Sequence, residues 1–224
     1  MPLLLLGAHT RRVVDDPLVE AARLAGVTDA RVLEAIRTVR RGGFVPRDLV
    51  ADAGLDRPLP IPHAQVTTQP SLIARMVEAL ALTGTERVLE IGTGYGWQTA
   101  LMATLSELVW SVERWDDLAA AARANLRRYG TRNAEVVVDD GSEGLSEHAP
   151  YQAIVVSAAF PRVPPPLVEQ LAPGGRLVQP IGSGGNEEVV QFERRGDRLV
   201  AVQNLTAARF VPLVGRHGFC GDER

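Results

Sequence analysis

The sequence predicts an α/β protein with a mostly parallel β-sheet, a helical cap at the amino end and an antiparallel hairpin at the carboxyl end. Three observations carry this. From residue 87 onward, short runs rich in β-branched residues alternate with helical patterns. Those runs are almost continuously apolar, as strands buried on both faces are. The first of them ends in a glycine-rich turn that opens directly into a helix.

Residues 17–25 and 29–37 carry apolar side chains at helical spacing, with Asp29 as N-cap of the second. Residues 44–62 form a loop rich in Pro, Asp and Gly, whose X-Pro steps favour extended backbone. Leu72, Ile73, Met76, Val77 and Leu80 then share one face of a helix over 69–80. Thr67 or Thr68 is a candidate N-cap there, and Pro70 suits the first turn. The predicted strands are "RVLEI" (87–91), "VWSV" (109–112), "AEVVV" (134–138), "AIVV" (153–156) and "RLVQPI" (176–181), with helical patterns at 96–105 and 115–129. "EEVVQFERR" (187–195) and "LVAVQNLTAARFVPL" (199–213), joined by "GDR", predict the antiparallel hairpin. Parallel strands ending in such a hairpin point to a seven-stranded, Rossmann-like methyltransferase sheet rather than to a dehydrogenase. One domain spans 1–224, with 1–80 as cap and acceptor-loop region and 81–224 as α/β core.

Composition narrows the class. At 224 residues, 46% apolar and 23% charged, the chain is an ordinary globular protein with a full-sized core. A net charge of -3 without a basic stripe excludes an electrostatic footprint for nucleic acid. All 24 basic residues are arginine. The single cysteine, Cys220, has no internal partner, so a reducing, cytoplasmic setting is expected. "MPLLLL" is too short for a signal-peptide core and lacks a basic leader. No run reaches the roughly 20 apolar residues of a membrane span. A monomer without membrane contact is the expected state.

The chemistry begins at "VLEIGTGYGWQTA" (88–100). A dinucleotide site would place its third glycine at 97, but that residue is Trp, and the glycines fall at 92, 94 and 96. Preceded by Glu90, this is the E-x-G-x-G-x-G form of S-adenosylmethionine enzymes. The turn implicates Glu90, Gly92, Thr93, Gly94, Tyr95, Gly96 and Gln98 in cofactor binding. Glu113 follows Gly92 by 21 residues and ends the next strand, where a carboxylate binds a ribose diol, with Arg114 beside it. The third strand runs into Asp139, Asp140 and Gly141. Asp140 is either an acceptor for the adenine amino group or part of a plain turn. Polar positions at the ends of three successive strands lie where ligands bind in open α/β sheets.

With these stretches go "FVP" (44–46), "DRPLPI" (56–61), "QVTTQP" (65–70), "APYQAIVVSAA" (149–159), "VPPPLVEQLAPGGRLVQPIG" (163–182) and "RFVPLVG" (209–215). Together they resemble the protein-L-isoaspartate O-methyltransferases over nearly the whole chain. The resemblance implies methyl transfer from S-adenosylmethionine, leaving S-adenosylhomocysteine, to the free carboxylate of an L-isoaspartyl residue in a protein or peptide. The ester then loses methanol and closes to a succinimide. It further implies that Thr68, where the family carries serine, touches the acceptor carboxylate. His63, Gln65, Val66, Thr67, Gln69, Ala158 and Arg209 are the implied acceptor-binding residues. Val66 replaces the family's threonine, Gly54 stands where relatives often carry tyrosine, and Gln152 where aspartate is usual.

A carboxylate with a reference pKa near 4 is ionised at neutral pH and needs no strong base. No metal site is expected, and His9, His63, His148 and His217 are dispersed. Three rivals remain to the repair reading. One is a relative that methylates an aspartate of a ribosomally made peptide, which then closes to an aspartimide; the altered "VTT" motivates it. The others are a cofactor-binding module without catalysis and a small-molecule O-methyltransferase.

Overall fold

Residues 16–220 are described in the computed structural model; His9 and residues 1–6 lie outside them. Helices α1 (Pro17–Leu24) and α2 (Ala30–Thr38) open the chain. Asp16 and Asp29 cap them by accepting from the backbone N–H of Leu18 and Arg31. Both pack against α3 (Pro70–Ala79). Between α2 and α3 lie two 3-10 turns (Arg41–Gly43 and Arg47–Asp52) and a small antiparallel hairpin, β1 (Leu59–Ile61) and β2 (Gln65–Thr67), in place of the irregular loop expected over 44–62. His63 and Ala64 turn this hairpin with φ of 61° and 53°, a region that residues with a Cβ seldom occupy.

The main sheet contains β3 (Arg87–Ile91), β4 (Leu108–Glu113), β5 (Ala134–Val138), β6 (Tyr151–Val156), β7 (Leu171–Ile181), β8 (Glu187–Arg195) and β9 (Arg198–Ala208). Its strand order is β5-β4-β3-β6-β7-β8-β9. The first five in that order run parallel, and β8 and β9 add antiparallel. Helices α4 (Trp97–Ala103) and α5 (Asp116–Tyr129) connect β3 to β4 and β4 to β5, while α6 (Pro165–Gln170) precedes β7. Alternate residues feed two cores. Val88, Val109, Ala153, Val155 and Val178 face α1 to α5. Leu89, Val112, Ile154, Val156 and Leu177 face α6 and the carboxyl-terminal segment. This two-sided burial is why the strands read as continuous apolar runs. No helix among the described residues is long and apolar enough to cross a membrane.

Two expectations are corrected. The last strand ends at Ala208 rather than running to 213. Buried Glu187 accepts from the N–H of Phe210 at 3.2 Å, and Pro212 has no N–H for a ladder. The chain therefore leaves the sheet as a strap. Its Val211 carbonyl accepts from the Ala159 N–H, and its Leu213 N–H donates to the Ala159 carbonyl, both at 2.8 Å. Neither Thr67 nor Thr68 caps α3: the N-cap position is Gln69, without a side-chain cap bond. Asp56 does this work from the preceding loop. One oxygen accepts from the Ser71 N–H, and the other from Ser71 Oγ and Gln69 Nε2, all at 2.8 Å.

Asp56→Ala is therefore expected to cost about 1–3 kcal/mol of stability in urea unfolding. Thr68→Ala should change it by less than about 0.5 kcal/mol. Equal losses would return the capping role to Thr68.

Candidate active site

Strands β3 and β6 are neighbours, but the chains leaving them turn to opposite faces of the sheet. A crevice opens where they part. Gly92 sits there with φ of 92°, and a Cβ placed on it would stand 3.3 Å from Ser157 Cβ. Any side chain at 92 would thus be strained and would press on the opposite wall.

A cleft of about 1100 Å³, open to solvent, occupies this crevice. The glycine turn contributes Gly92, Thr93, Gly94, Tyr95 and Gln98 to it, and β4 and α5 contribute Glu113, Arg114, Trp115 and Leu118. Gly141 and Ala158 line it as well. Gly96 does not line it, and starts α4 in a left-handed conformation instead. Glu113 is buried, and its oxygens accept from the N–H of Gly94 at 2.9 Å and of Trp115 at 3.1 Å. Burial pushes its pKa up, opposed by those N–H groups. A carboxylate offers about four acceptor positions, so Glu113 keeps capacity to accept from further donors.

Glu90 does not reach the cleft. It lies fully buried beneath the turn, accepting from Gln98 Nε2 at 3.0 Å, Ser111 Oγ at 2.6 Å and Thr99 Oγ1. Burial raises its pKa to about 7, against the pull of these three donors. Asp139 and Asp140 also stand outside the cleft lining. Asp140 accepts from Ser142 N–H and Oγ with one oxygen and from the Arg216 N–H at 2.7 Å with the other. Burial works to raise its pKa, but the Arg216 and Ser142 donors outweigh that and lower it. Asp140 thus pins the end of the strap across the sheet. Asp139 is exposed and accepts from the Asp140 N–H.

The hairpin covers one side. Gln65, Val66, Thr67 and Thr68 line the cleft, but the Thr67 hydroxyl is taken. It accepts from Arg41 Nη2 at 2.7 Å and from the Leu59 N–H at 3.0 Å. His63 lines neither this cleft nor the second one described below. Its ring stacks on Trp115 at 3.9 Å between centroids, with Nε2 2.8 Å from Asp117 Oδ1, fastening the hairpin tip to α5.

A second cleft, about 1060 Å³, lies between α3 and the strap, and includes Gln69 and Arg209. Val66, Thr68, Ser157 and Val211 line both clefts. Sequence reading had identified Thr68 and Val66 among these and missed Ser157 and Val211. Ser157 directly follows β6, so the rule that selected Glu113 would have selected it too. Arg41 was also missed. Buried at 3% exposure, it donates to the carbonyls of Leu55 and Arg57 as well as to Thr67, and burial lowers its pKa to about 10. Its two-residue separation from the FVP stretch carries no sign of this role. Among the described residues no cluster of His, Cys, Asp and Glu could hold a metal ion.

The family model for protein-L-isoaspartate(D-aspartate) O-methyltransferase matches residues 14–218. The chain belongs to this family. It is a methyltransferase by that membership, with the cleft and glycine turn described above at its centre. A protein-L-isoaspartate O-methyltransferase of Anaeromyxobacter dehalogenans is 51% identical over 190 residues, covering 84% of this chain and 91% of the relative. A solved protein-L-isoaspartate O-methyltransferase superposes with a TM-score of 0.81 at 29% identity, covering 90% of this chain and 66% of that one. The Plasmodium falciparum structure described as a putative protein-L-isoaspartate O-methyltransferase in complex with S-adenosyl-L-homocysteine gives a TM-score of 0.75. Its 23% identity, over 89% of this chain and 98% of that one, speaks for the shared fold.

Between pH 4.5 and about 7 the folded protein keeps a proton on Glu90 that the unfolded chain has released. Stability from this group is full below that window and falls as pH rises through it. In paired urea titrations, Glu90→Gln should gain on the parent protein by roughly 1–3 kcal/mol between pH 5 and pH 8. A difference that stays flat with pH would remove the protonated Glu90.

Proposed function

We propose that this chain esterifies the free carboxylate of L-isoaspartyl residues in proteins or peptides, using S-adenosylmethionine. The observation that carries this reading is the junction of the two clefts at Val66, Thr68, Ser157 and Val211. Methyl transfer needs two ligands that enter separately and meet at one point.

The residues of the first cleft suit the cofactor. Glu113 retains acceptor capacity for a ribose diol, and the buried atoms Gln98 Oε1 and Trp115 Nε1 have no partner in the protein. One accepts and the other donates, so a ligand with an ammonium and ring nitrogens satisfies both. S-adenosylmethionine supplies, when bound, a methyl group on a positively charged sulfur. Everything else falls to orientation and exclusion of water. Thr68 and Ser157 line the junction, and on this reading their hydroxyls donate to a carboxylate and aim its attacking oxygen, with Ser157 Oγ itself accepting from Gln98 Nε2 at 3.1 Å. That oxygen is already ionised, so no proton leaves it and no base is required. The hairpin contributes Val66 to the junction and the strap Val211. Once esterified, the acceptor loses methanol as its neighbouring backbone nitrogen attacks the ester carbon, and a succinimide closes.

The two halves of the site separate by mutation. Thr68→Ala should lower kcat about 10- to 100-fold with cofactor affinity nearly unchanged. Glu113→Ala should weaken cofactor binding about 10- to 100-fold in calorimetric titration. Parallel loss of binding in Thr68→Ala would refute its assigned place.

The activity itself is tested with one peptide carrying isoaspartate or aspartate at the same site, following labelled methyl incorporation and methanol release. Turnover confined to the isoaspartyl form is expected. Preference for the aspartyl form would favour the dedicated peptide-modifying enzyme instead.

A further inference from the structure

The second cleft carries a charge pattern that the chemistry at the junction does not call for. We propose that it is a cationic seat for the acceptor polypeptide, and that it selects segments with aspartate or glutamate next to the residue to be methylated. This rests on the reading that acceptors reach Thr68 through this cleft.

Two arginines line it, Arg75 from α3 and Arg209 from the start of the strap, and no carboxylate lines it. Arg75 donates one N–H to the Leu205 carbonyl, which fixes its stem and leaves the remaining donors of the guanidinium for another acceptor. Arg209 is exposed and forms no ion pair among the described residues. It lies along Gly185, with Nε 3.4 Å from where a Cβ would stand, so the missing side chain gives the guanidinium its place.

Two acids stand behind the walls, and both are occupied. Asp56 accepts from Ser71 and Gln69, and Glu187 accepts from the N–H groups of Gly185 and Phe210. They hold the backbone that shapes the cleft. Both keep their charge but line no part of the cleft, so the two guanidinium groups are the charged groups its lining presents to an incoming chain, on a protein whose net charge is -3. Such complementarity acts on encounter and on the choice of partner more than on the chemical step.

The test uses three isoaspartyl peptides identical except for two Glu, two Gln or two Lys beside the isoaspartate. Values of kcat/KM are measured for the parent protein and for Arg209→Glu. Binding of the same peptides, fluorescently labelled, is measured by anisotropy on protein saturated with S-adenosylhomocysteine. The Glu peptide should exceed the Lys peptide by about tenfold in kcat/KM at low salt, with the gap narrowing to about twofold near 0.5 M salt. Arg209→Glu should reverse the order, and since Arg209 is exposed the variant retains its fold. Equal values for the three peptides at low salt, or an order unmoved by Arg209→Glu, would overturn the inference. If no peptide were methylated while the Glu peptide still bound most tightly, the proposed activity would fail and the cationic seat would stand. Methylation without charge preference would give the converse.

Discussion

The site depends on one close approach, that of Gly92 at the end of β3 to Ser157 at the end of β6. The Gly92 N–H donates to the Val112 carbonyl and the Ser157 N–H to the Ile91 carbonyl, each at 2.8 Å. These bonds bring the ends of β4, β3 and β6 to one level before the chains part to opposite faces. Everything that lines the first cleft is then placed relative to that edge. Right-handed crossovers on both sides make the parting unavoidable once the strand order reverses there. The glycine keeps the opening from being filled by the protein itself.

Ionisable side chains that are wholly or partly buried do the stitching around this opening. Glu90 ties α4 to β4 beneath the glycine turn. Arg41 gathers the loop before the hairpin, Asp56 caps α3, Asp140 holds the end of the strap and Glu187 its beginning. Each meets several donors or acceptors at close range, which is the condition under which burying a charge is tolerable. Glu90 meets its donors with no cation beside it, and burial raises its pKa to about 7. The consequence for function is rigidity. Thr68 sits between Thr67, held by Arg41, and Gln69, held by Asp56, so its backbone is fixed on both sides.

Much of this was legible in the residues. The runs at 87–91, 134–138 and 187–195 match β3, β5 and β8 residue for residue, because β-branched and aromatic residues cluster there between turn residues. The glycine spacing and Glu113 followed from rules about strand ends. What escaped was set by contacts distant in sequence. Strands β1 and β2 have three residues each, with prolines within and beside β1 and in the turn, too short for any periodicity to register. The strap continues a strand pattern and departs from it where Glu187 and Ala159 take its backbone groups and Pro212 has no N–H to give. Asp140 stands in the expected order, yet its oxygens are engaged by Ser142 and Arg216, which spacing alone does not reveal. Thr68 is the reverse case. Its capping role was a reasonable expectation that Asp56, a residue from another loop, makes unnecessary.

On the proposed reading, the two clefts let one small domain take a nucleoside and a polypeptide without either blocking the other. Their linings differ in character, one built from a glycine turn and aromatic rings, the other from α3 and the strap, and they share four side chains. The most direct measurement is a crystal structure with S-adenosylhomocysteine and an isoaspartyl peptide bound together. The expected result places the product against Glu113 and the peptide along α3, with the sulfur and the acceptor oxygen about 5 Å apart across Thr68 and Ser157. A peptide carboxylate seated away from Thr68, or a product lying outside the Gly92–Ser157 crevice, would contradict it.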